Sequence, residues 1–574
     1  MRLISYDSSV ALLLALSVTA CVSKDVGETG GTVDGTDVDD TGETTGDDPP
    51  PDPGDAVVVE TTVGSIFAAY PDLGSFPGLV GVPNLDDDDE AGGADWDQEG
   101  EAAGDNDFAL ATVLTQGRQV DLSLSGEGLR IYSDDSLIMG DGSGSEATLS
   151  EVDAADLRIE FSDFLVQGLL TVTDVDRGES FEIALTASPL FFNHHLQPAE
   201  MTMATGISGW GYDNDEFIEG YEDTLGTAFN RMMGGRYDND PWVQDEFEFG
   251  YATAPDAHLD VVFDTHRDGQ GGPGAGLDDF PEDEYEGPDW LIVNWGPRNA
   301  QSVDYGGNFE ISPPVTVDGT HYPYGRVYYG GAPGYEPMQA TQLAVESMEV
   351  QKPFMPDSTW LCVGHVDEFT TTIPDPSAPK GFRFVISDTR SAWALLESLD
   401  ADTSLPKYAP GAWSGHSIDT IGEIVDDGAL RSLNSEIQEI LDEQKALFVE
   451  ELGLDEEDIL YMPSLFEEPS GCGSWVAALI PGMANLIVGA VGDKTTVFLA
   501  DPFLRSDVSD QASDPMIEHV RELFPDSMDL VFLDDWEVYH MGLGEVHCGT
   551  NVEREVDNAW WEDAGHLITS EVGR

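Results

Sequence analysis

The chain has 574 residues, and its 112 Asp and Glu residues against 23 Lys and Arg residues give a net charge of -89. Since 40% of the residues are hydrophobic and 9% are aromatic, the chain can bury real cores, which excludes wholesale disorder and predicts roughly two to four domains. The acidic excess excludes nucleic acid as a partner, because phosphate backbones need Lys and Arg, and favours cations such as calcium or guanidinium groups. Four cysteines are too few for a disulfide-dense scaffold.

An export signal is predicted over residues 1–20, where Arg2 precedes the apolar run VALLLALSVTA, which is too short to span a bilayer. The small residue directly before Cys21 resembles the lipobox of bacterial lipoproteins, in which the cysteine becomes the lipidated N-terminus. This resemblance implies an exported protein with a lipid anchor at Cys21, and Val22 in place of Asp favours the outer membrane of a bacterium. The alternative is an ordinary secretory signal peptide with an incidental cysteine.

Two regions with different compositions follow the signal. Residues 21–55 are Gly, Thr, Asp and Pro with almost nothing apolar, which predicts a disordered acidic tether. From residue 56, short alternating runs rich in β-branched residues are separated by Gly and Asp clusters. Their spacing predicts a β-sandwich over residues 56–183.

The remainder, residues 184–574, mixes strand and helix patterns. Strands are predicted at 259–265 and 289–296, and helices at 391–399 and near 429–453. The apolar run at 475–491 contains Pro481, Gly482 and Asn485, so we interpret it as buried core or an active-site loop rather than a membrane span. These patterns predict a mixed α/β domain.

Reactive side chains are concentrated in three segments, PWVQDEFEFGY (241–251), VGHVDEF (363–369) and GEVHCGTNV (544–552). His365 and Asp367 are two residues apart, so on a strand both would project from one face, which suits a proton-transfer group beside a cation binder. Cys548 precedes Gly549 in a turn-like setting where a thiolate could meet a substrate. A zinc site is the alternative, but the sequence contains neither CxxC nor HExxH.

These segments closely resemble the protein-arginine deiminases, calcium-dependent enzymes that convert peptidyl arginine to citrulline. Further matches are ELGLDEEDILYMPSLF (451–466), SPPVTV (312–317) and the Trp560–Trp561 pair. The resemblance runs in order from about residue 184 to the C-terminus. It implies that the catalytic domain is a pseudo-fivefold α/β propeller, preceded by an immunoglobulin-like β-sandwich similar to the calcium-binding middle domain of the family.

The resemblance also implies the catalytic residues. Cys548 would be the nucleophile and His365 the general acid and base, while Asp245 and Asp367 would hold the guanidinium. A guanidinium is planar, charged and doubly forked, so two carboxylates can accept paired hydrogen bonds and place its central carbon near the sulfur. A covalent thiouronium intermediate would follow. Substrate contacts are implied for Trp242, Arg267 and Val363.

The resemblance implies several calcium ions, and the density of carboxylates near the catalytic segments suits a cation that takes six to eight oxygen ligands. One set of ligands in the catalytic domain would be Gln244, Glu248, Glu310 and the carbonyls of Gly306 and Phe309. A second set would be Glu246, Asp264, Thr265 and Asp268. A third cluster, in the sandwich, would be Asn84, Asp86, Asp88, Asp97, Asp105 and Asp107, with Asp95 as the alternative to Asp97. The alternative for any single carboxylate is solvated surface charge.

The chain departs from the family at the substrate rim. One arginine of the family's pair is Arg267 here, whereas Gly269 stands at the other, and Gly542 stands where some members have an arginine. These differences put peptide selectivity in question. For Cys362 and Cys472 a disulfide is possible in an oxidising compartment, but we expect buried thiols.

Three functions are considered for the chain. The first is a lipid-anchored, calcium-dependent protein-arginine deiminase, a hydrolase of linear amidines whose partners are arginine-containing proteins or peptides. The second is a deiminase of free arginine or another small guanidine compound, which the missing rim arginines would permit. The third is a non-catalytic calcium-binding surface lipoprotein, against which the intact set of four catalytic residues argues.

Overall fold

The computed structural model describes most of the chain beyond the predicted signal and tether. The described residues are 58–61, 78–86, 107–134, 136–150, 152–208, 213–255, 257–265, 267, 276–285, 287–295, 301–337, 350–409, 417–491, 494–556, 560–564 and 567. Strands predominate at the N-terminal end, and strands and helices alternate beyond it. The predictions for Cys21, the export signal and the tether lie outside the described residues.

The strands in the first part of the chain are β1 (Val58–Thr61), β2 (Gly78–Gly81), β3 (Phe108–Leu114), β4 (Val120–Ser125), β5 (Leu129–Ser133), β6 (Ser136–Gly140), β7 (Glu146–Leu149), β8 (Ala154–Phe161), β9 (Gln167–Asp174) and β10 (Glu179–Ala187). They form two five-stranded sheets with the orders β1-β3-β8-β5-β6 and β2-β10-β9-β4-β7. The strong alternation of buried and half-buried residues along β9 shows that one face of its sheet packs inward. Side chains of both sheets, among them Ile159 and Val172, share one apolar core. The predicted strands of this region are confirmed where they are described.

The strands that follow are β11 (Phe191–Phe192), β12 (Ala199–Gly206), β13 (Phe229–Met233), β14 (Phe247–Ala254), β15 (Ala257–Thr265), β16 (Trp290–Trp295), β17 (Phe309–Ile311), β18 (Val315–Val317), β19 (Thr320–Tyr322), β20 (Val327–Tyr329), β21 (Thr370–Pro374), β22 (Phe382–Asp388), β23 (Ile459–Pro463), β24 (Phe466–Glu467), β25 (Ala477–Ala478), β26 (Ile487–Val491), β27 (Lys494–Ala500), β28 (Met528–Leu533) and β29 (Thr550–Arg554). The α-helices are α1 (Asp215–Leu225), α2 (Val243–Glu246), α3 (Phe280–Glu284), α4 (Thr389–Ser398), α5 (Ile421–Asp426), α6 (Gly428–Leu452), α7 (Pro515–Leu523) and α8 (Trp560–Asp563). The predicted strands at 259–265 and 289–296 and the predicted helices at 391–399 and 429–453 are confirmed.

Small sheets of one repeated type build this second part. In the sheets β11-β14-β15-β16, β21-β22-β23 and β26-β27-β28, an antiparallel pair is extended by a parallel strand. The first of these sheets also has the short strand β11 at its edge, antiparallel to β14. A helix lies in the chain between the two parallel strands of each sheet. The sheet β13-β12-β29 has the same pairing, except that its antiparallel strand comes from the end of the chain.

The long helix α6 shows how the local sequence sets these elements. The side chain of Asp427 caps its start by accepting hydrogen bonds from the backbone N–H groups of Ala429 and Leu430. Gly453 ends it in the left-handed conformation, with φ of 62°. Between these ends, Leu441 and Phe448 are buried in a core shared with β22, so one face of the helix is fixed by apolar packing.

The apolar run at 475–491 is largely buried, as predicted. It contains the two-residue strand β25 and leads into β26 through a segment that includes Pro481 and Asn485. Within the described part of the chain, no helix has the length and apolar character needed to cross a membrane.

Cys362 and Cys472 form a disulfide, so the expectation of two buried thiols is wrong. Their Cα atoms are 5.7 Å apart although 110 residues separate them in sequence. A backbone hydrogen bond from Cys362 to the carbonyl of Val476 joins the same two segments. The sequence could not show this, because spacing along a chain does not reveal which cysteines meet in space. The cross-link lies three residues before His365.

We expect the double variant Cys362→Ser with Cys472→Ser to unfold more easily. Loss of a cross-link that closes such a long loop should lower the free energy of unfolding by about 2–4 kcal/mol, because the unfolded chain gains conformational freedom. Urea denaturation followed by tryptophan fluorescence measures the change, and the wild-type chain with a reductant should reproduce it. Equal denaturation midpoints for the variant and the oxidised wild-type chain would contradict the prediction.

Candidate active site

The site lies where several strands of the second part begin. Asp245 comes two residues before β14, Asp367 three before β21, Asn485 two before β26 and Cys548 two before β29. These strands occupy corresponding places in the four small sheets, since each is the antiparallel partner in its sheet. The repeated architecture therefore brings loops that are far apart in sequence to one place.

Cys548 is buried beside Asp367 and Asn485. Its Sγ atom lies 3.5 Å from Oδ2 of Asp367 and 3.3 Å from Nδ2 of Asn485. The Asn485 amide also donates to Asp367 Oδ2 at 2.8 Å, and its carbonyl oxygen accepts from the backbone N–H groups of His547 and Cys548 at 2.9 and 3.2 Å. Asn485 thus fixes the positions of both the sulfur and the carboxylate.

His365 and Asp245 form the other side of the site. Nδ1 of His365 lies 3.5 Å from Oδ1 of Asp245. Nε2 lies 2.7 Å from the carbonyl oxygen of Ser302, which can only accept, so Nε2 carries a hydrogen. In the neutral ring the lone pair is therefore on Nδ1, and Nδ1 is the atom that can take up and return a proton.

The segment that carries His365 and Asp367 is not a strand, contrary to the prediction. Gly364 has φ of +91°, and residues 366–369 form a turn before β21 begins at Thr370. A carboxylate oxygen of Glu368 accepts from the backbone N–H groups of Gly364 and His365 at 3.0 and 2.9 Å. This local hydrogen bonding holds the turn, and Val366 between the two polar residues is fully buried, as expected.

Trp242 lies against the segment that precedes Cys548. A Cβ atom at Gly542 would come within 2.7 Å of the indole, and one at Gly544 within 2.4 Å of the indole and 3.1 Å of Cys548 Cβ. The ring therefore occupies the space that a side chain at 542 would need. Val363, the other predicted apolar contact, is half-buried, and its carbonyl accepts a hydrogen bond of 2.6 Å from the Ser302 hydroxyl.

We expect Gly544→Ala to reduce activity toward a small arginine substrate by about 10²-fold, because the new methyl group must displace Trp242 or the Cys548 backbone. Gly544 does not have a positive φ, so the effect would come from packing and not from backbone strain. Steady-state kinetics measures it. The matched control is Gly235→Ala, where a Cβ meets nothing within 4 Å. Equal kcat/KM values for the two variants would contradict the prediction.

Negative charge surrounds the thiol. Burial, followed by the charges of Asp367 and Asp245, raises the pKa of Cys548 well above its ordinary value. Burial also raises the pKa of Asp245, although His365 and Arg267 oppose the shift. A site of this kind favours a cationic ligand, because a positive charge would stabilise the carboxylates and the thiolate together.

Arg267 is not at an open rim, where the resemblance had placed it. Its guanidinium is buried and lies 2.9 Å from Asp240, 2.6 Å from Glu246 and 4.0 Å from Asp245. Coulombic attraction to these carboxylates outweighs burial and raises its pKa. Arg267 thus supports the loop that carries Asp245.

Residues proposed for the first calcium set lie close together. Gln244 donates a hydrogen bond to Glu248, and a Cβ at Gly306 would meet the Gln244 carbonyl and the Glu248 carboxylate at 2.3 and 3.4 Å. Burial and the charge of Glu310 raise the pKa of Glu248 well above its ordinary value, and burial raises that of Glu310 to about 7. Glu310 lies on β17, directly after Phe309. Paired, buried carboxyl groups beside a backbone carbonyl fit calcium.

The second set is only partly described. Phe247, which follows Glu246, pairs with Asp264 across β14 and β15. Burial raises the pKa of Glu246 to about 8 and that of Asp264 well above its ordinary value. Thr265 donates through its hydroxyl to the carbonyls of Asp245 and Glu246. Arg267 is already paired with Glu246, but Oε1 of Glu246 and Oδ1 of Asp264 have no hydrogen-bond partner within the described part of the chain, so a cation fits here as well. Asp268 lies outside the described residues.

Part of the predicted cluster in the first region is also described. Asn84, Asp86 and Asp107 are buried, and the Asp86 side chain contacts that of Asp107. Burial raises the pKa of Asp86, although an N–H from the backbone of Asp289 in the second part donates to it at 2.8 Å. A contact between two buried carboxyl groups, with Asn84 two residues before Asp86, is compatible with calcium. The other predicted members, Asp88, Asp97 and Asp105, lie outside the described residues.

Sequence reasoning missed three polar residues of the site, Ser302, Asn485 and His547. Asn485 had a sequence signal, since it is a polar residue inside an apolar run. His547 had one as well, because it directly precedes the candidate nucleophile; its Nδ1 lies 2.9 Å from Asp367 and its Nε2 3.2 Å from Glu310. Ser302 had none, because its role depends on a contact across 63 residues of sequence.

Comparison with known proteins is consistent with this geometry. A family model described as "Protein-arginine deiminase (PAD)" matches residues 180–562. Among curated proteins, the chain is 31% identical over 398 residues to protein-arginine deiminase type-4 of Homo sapiens, covering 66% of this chain and 56% of that one. It is 31% identical over 438 residues to the type-4 protein of Mus musculus, covering 70% and 62%. It is 34% identical over 341 residues to the human type-3 protein, covering 56% and 48%. The matches thus span about half to three fifths of these relatives.

Proposed function

We propose that this chain, which belongs to the protein-arginine deiminase family, hydrolyses peptidyl arginine to peptidyl citrulline and ammonia. The observation that carries the proposal is a thiol whose pKa is raised by burial and then by the charges of Asp367 and Asp245, with a histidine proton carrier beside Asp245. A planar cation placed among these groups would neutralise the charge that keeps the thiol protonated. The site is therefore suited to a guanidinium and poorly suited to a neutral substrate.

The reaction begins with the guanidinium bound by Asp245 and Asp367, which accept its N–H hydrogens. Once the guanidinium is bound, the proton of the Cys548 thiol passes to Nδ1 of His365, and the thiolate attacks the central carbon and forms a C–S bond, which gives a tetrahedral adduct. His365 gives the proton on Nδ1 to the departing nitrogen, the C–N bond breaks and ammonia leaves a thiouronium. A water then gives a proton to His365 and attacks the same carbon. The C–S bond breaks while the new hydroxyl group loses its proton to solvent, where ammonia becomes ammonium, and citrulline and the thiolate are released.

Asn485 and Ser302 position the groups that react. Asn485 holds Asp367 and Cys548 in fixed relation. Ser302 holds Nε2 of His365 so that Nδ1 faces the site. Neither changes protonation in the proposed reaction, so both would act through geometry.

Calcium is proposed as the cofactor, held by Gln244, Glu248, Gly306, Phe309 and Glu310 in one set and by Glu246, Asp264, Thr265 and Asp268 in another. When bound it would supply positive charge beside the loops that carry Asp245 and Glu310. A third set would include Asn84, Asp86 and Asp107, with Asp88, Asp97 and Asp105. What supports the proposal is the raised pKa of the buried carboxyl groups in each described set.

We expect Glu248→Gln to raise the calcium concentration for half-maximal activity roughly 10- to 100-fold, since an amide keeps the shape and removes a charged ligand. Citrulline formation across a calcium titration measures it. Glu219→Gln, at an exposed position on α1, is the matched control. An unchanged calcium requirement in Glu248→Gln would remove this residue from the proposed set.

A deiminase of free arginine or another small guanidine compound is the second candidate. The observation that favours it is the burial of Arg267 against Asp240 and Glu246, which leaves its guanidinium engaged within the protein. An arginine engaged in this way does not hold a peptide backbone. Selectivity for peptidyl arginine would then have to come from other contacts.

The deciding experiment measures citrulline from a blocked arginine ester and from free arginine, with the full chain, in millimolar calcium and in chelator. Calcium-dependent turnover of the blocked ester would support the proposed function. Turnover of free arginine alone would favour the second candidate. Absence of turnover on both would favour a non-catalytic calcium-binding surface protein.

The finer architecture and the location are part of the proposal. The repeated small sheets support a pseudo-fivefold α/β propeller, in which the β17–β20 pair would belong to the fifth unit. The two five-stranded sheets with a shared core support an immunoglobulin-like sandwich at residues 56–183. An exported lipoprotein anchored at Cys21, on a bacterial outer membrane, is supported by the signal sequence and agrees with the Cys362–Cys472 disulfide, since disulfides persist in oxidising compartments.

A further inference from the structure

We propose that His195, Glu310 and His547 form a transition-metal site, with Zn²⁺ as its occupant, whose filling opposes calcium binding at Glu310. The three residues come from distant parts of the chain, after β11, on β17 and before β29. One potential ligand atom of each lies within 4.8 Å of the others, and all three side chains are buried. The antagonism with calcium, but not the metal site itself, rests on the proposed function.

The hydrogen bonds fix which ring atoms would bind the metal. Nδ1 of His195 lies 2.9 Å from the carbonyl oxygen of Thr372, which only accepts, so that nitrogen carries a hydrogen and Nε2 is the potential ligand. Nδ1 of His547 lies 2.9 Å from Asp367, and its Nε2 lies 3.2 Å from Oε1 of Glu310. Zinc ligands in a tetrahedron are about 3.4 Å apart, so this pair is already close to the required separation.

The chemistry of the donors selects the type of metal. Two imidazole nitrogens and one carboxylate are a ligand set typical of zinc, whereas calcium takes oxygen ligands. Both rings also have the outer partners that metal-bound histidines usually have, a backbone carbonyl for His195 and a carboxylate for His547. Neither histidine changes protonation in the deiminase reaction proposed above.

The charges around the cluster favour a divalent cation. Glu310 and Asp367 contact His547 directly. The Arg554 guanidinium adds a positive charge nearby, but its hydrogen bonds go to the carbonyls of Gln197 and Val488, so it does not occupy the ligand atoms. Oε1 of Glu310 has no hydrogen-bond partner within the described part of the chain, so it is available to a metal ion beside Nε2 of His547.

Two consequences for the catalytic site follow. Zinc would take one oxygen of Glu310 from the first calcium set, and its charge would repel a calcium ion on the other oxygen, so zinc would raise the calcium requirement. His547 directly precedes Cys548 and contacts Asp367, so zinc would also fix the segment that carries the nucleophile. Zinc would therefore act as an inhibitor that high calcium overcomes.

Cobalt substitution tests the site without relying on turnover. Metal-free full chain is titrated with Co²⁺, and four-coordinate binding through histidine should give intense visible bands that one equivalent of Zn²⁺ abolishes. We expect these bands to be lost in His195→Gln and retained in His194→Gln, which changes the neighbouring histidine. Absence of the bands in the wild-type chain, or their persistence in His195→Gln, would overturn the metal site.

Circular dichroism compares the folding of each variant with the wild-type chain. If His195→Gln does not fold, Glu310→Gln takes its place, and bands unchanged in that variant would equally overturn the site. In the activity assay, Zn²⁺ should raise the calcium concentration for half-maximal turnover in the wild-type chain by about tenfold or more. An unchanged calcium requirement with zinc bound would refute the antagonism. If the chain has no deiminase activity, the spectra still decide whether the metal site exists, so the two failures are distinguishable.

Discussion

Cys548→Ala is expected to abolish citrulline formation from a blocked arginine ester, with a loss of at least about 10⁴-fold in kcat. The methyl group cannot form the C–S bond on which the proposed reaction depends. The substitution should leave the fold intact, because the sulfur contacts Asn485 and Asp367 but Asn485 is also held by the backbone N–H groups of residues 547 and 548. Citrulline assays at saturating substrate and calcium measure the loss.

The variant also separates binding from chemistry. Asp245 and Asp367 remain in Cys548→Ala, so the inactive protein should still bind an arginine ester, which calorimetry can measure. Met233→Ala, at a position that is 73% exposed, is the control for the assay and for protein handling. Turnover by Cys548→Ala at a rate similar to that of the control would show that Cys548 is not the nucleophile.

The sequence predicted the second part of the fold where periodicity was strong. The strand at 259–265 and the helix at 429–453 are long enough for their patterns to be distinctive, and both are present. Their arrangement in repeated small sheets could not be derived from periodicity, because pairing between strands depends on contacts far apart in sequence. The propeller and the sandwich were expected from the family resemblance, because local sequence patterns do not show which strands pair.

In the candidate site, too, the sequence predicted some features and missed others. Cys548, His365, Asp245 and Asp367 were identified by their residue types within short motifs, and the structure brings Cys548 beside Asp367 and His365 beside Asp245. The strand expected at His365 was wrong, because alternation over a few residues does not distinguish a strand from a turn held by its own side chains. The pairing of Cys362 with Cys472 and the contact of Ser302 with His365 also depend on the tertiary structure, so the sequence did not predict them.

Acidic residues affect the stability of the fold differently inside the protein and on its surface. Surface carboxylates such as Glu219 are solvated and cost little. Glu248, Asp264 and Glu310 are partly or fully buried and have raised pKa values, so they destabilise the fold unless cations neutralise them. Their stabilising partners would be calcium near the active site and the substrate guanidinium within it.

Asp367→Asn is expected to change two properties of the active site in opposite directions. Loss of a carboxylate that binds the guanidinium should lower kcat/KM by about 10²- to 10³-fold. At the same time, removal of its negative charge should lower the pKa of Cys548, because that charge, after burial, helps to raise it. More of the sulfur would then be thiolate at neutral pH, and alkylation of Cys548 by iodoacetamide in the absence of substrate should become faster.

The alkylation rate is measured from pH 6 to pH 10 by mass spectrometry of the peptide that contains Cys548, which separates this thiol from the other cysteines. At each pH the alkylation rate should be higher in Asp367→Asn than in the wild-type chain and unchanged in Asp526→Asn, an exposed control. A general loss of structure would expose the thiol and give an ordinary cysteine profile, which circular dichroism would detect. A folded Asp367→Asn variant with wild-type alkylation rates would show that Asp367 does not set the ionisation of the nucleophile, so that burial and the charge of Asp245 hold the thiol protonated.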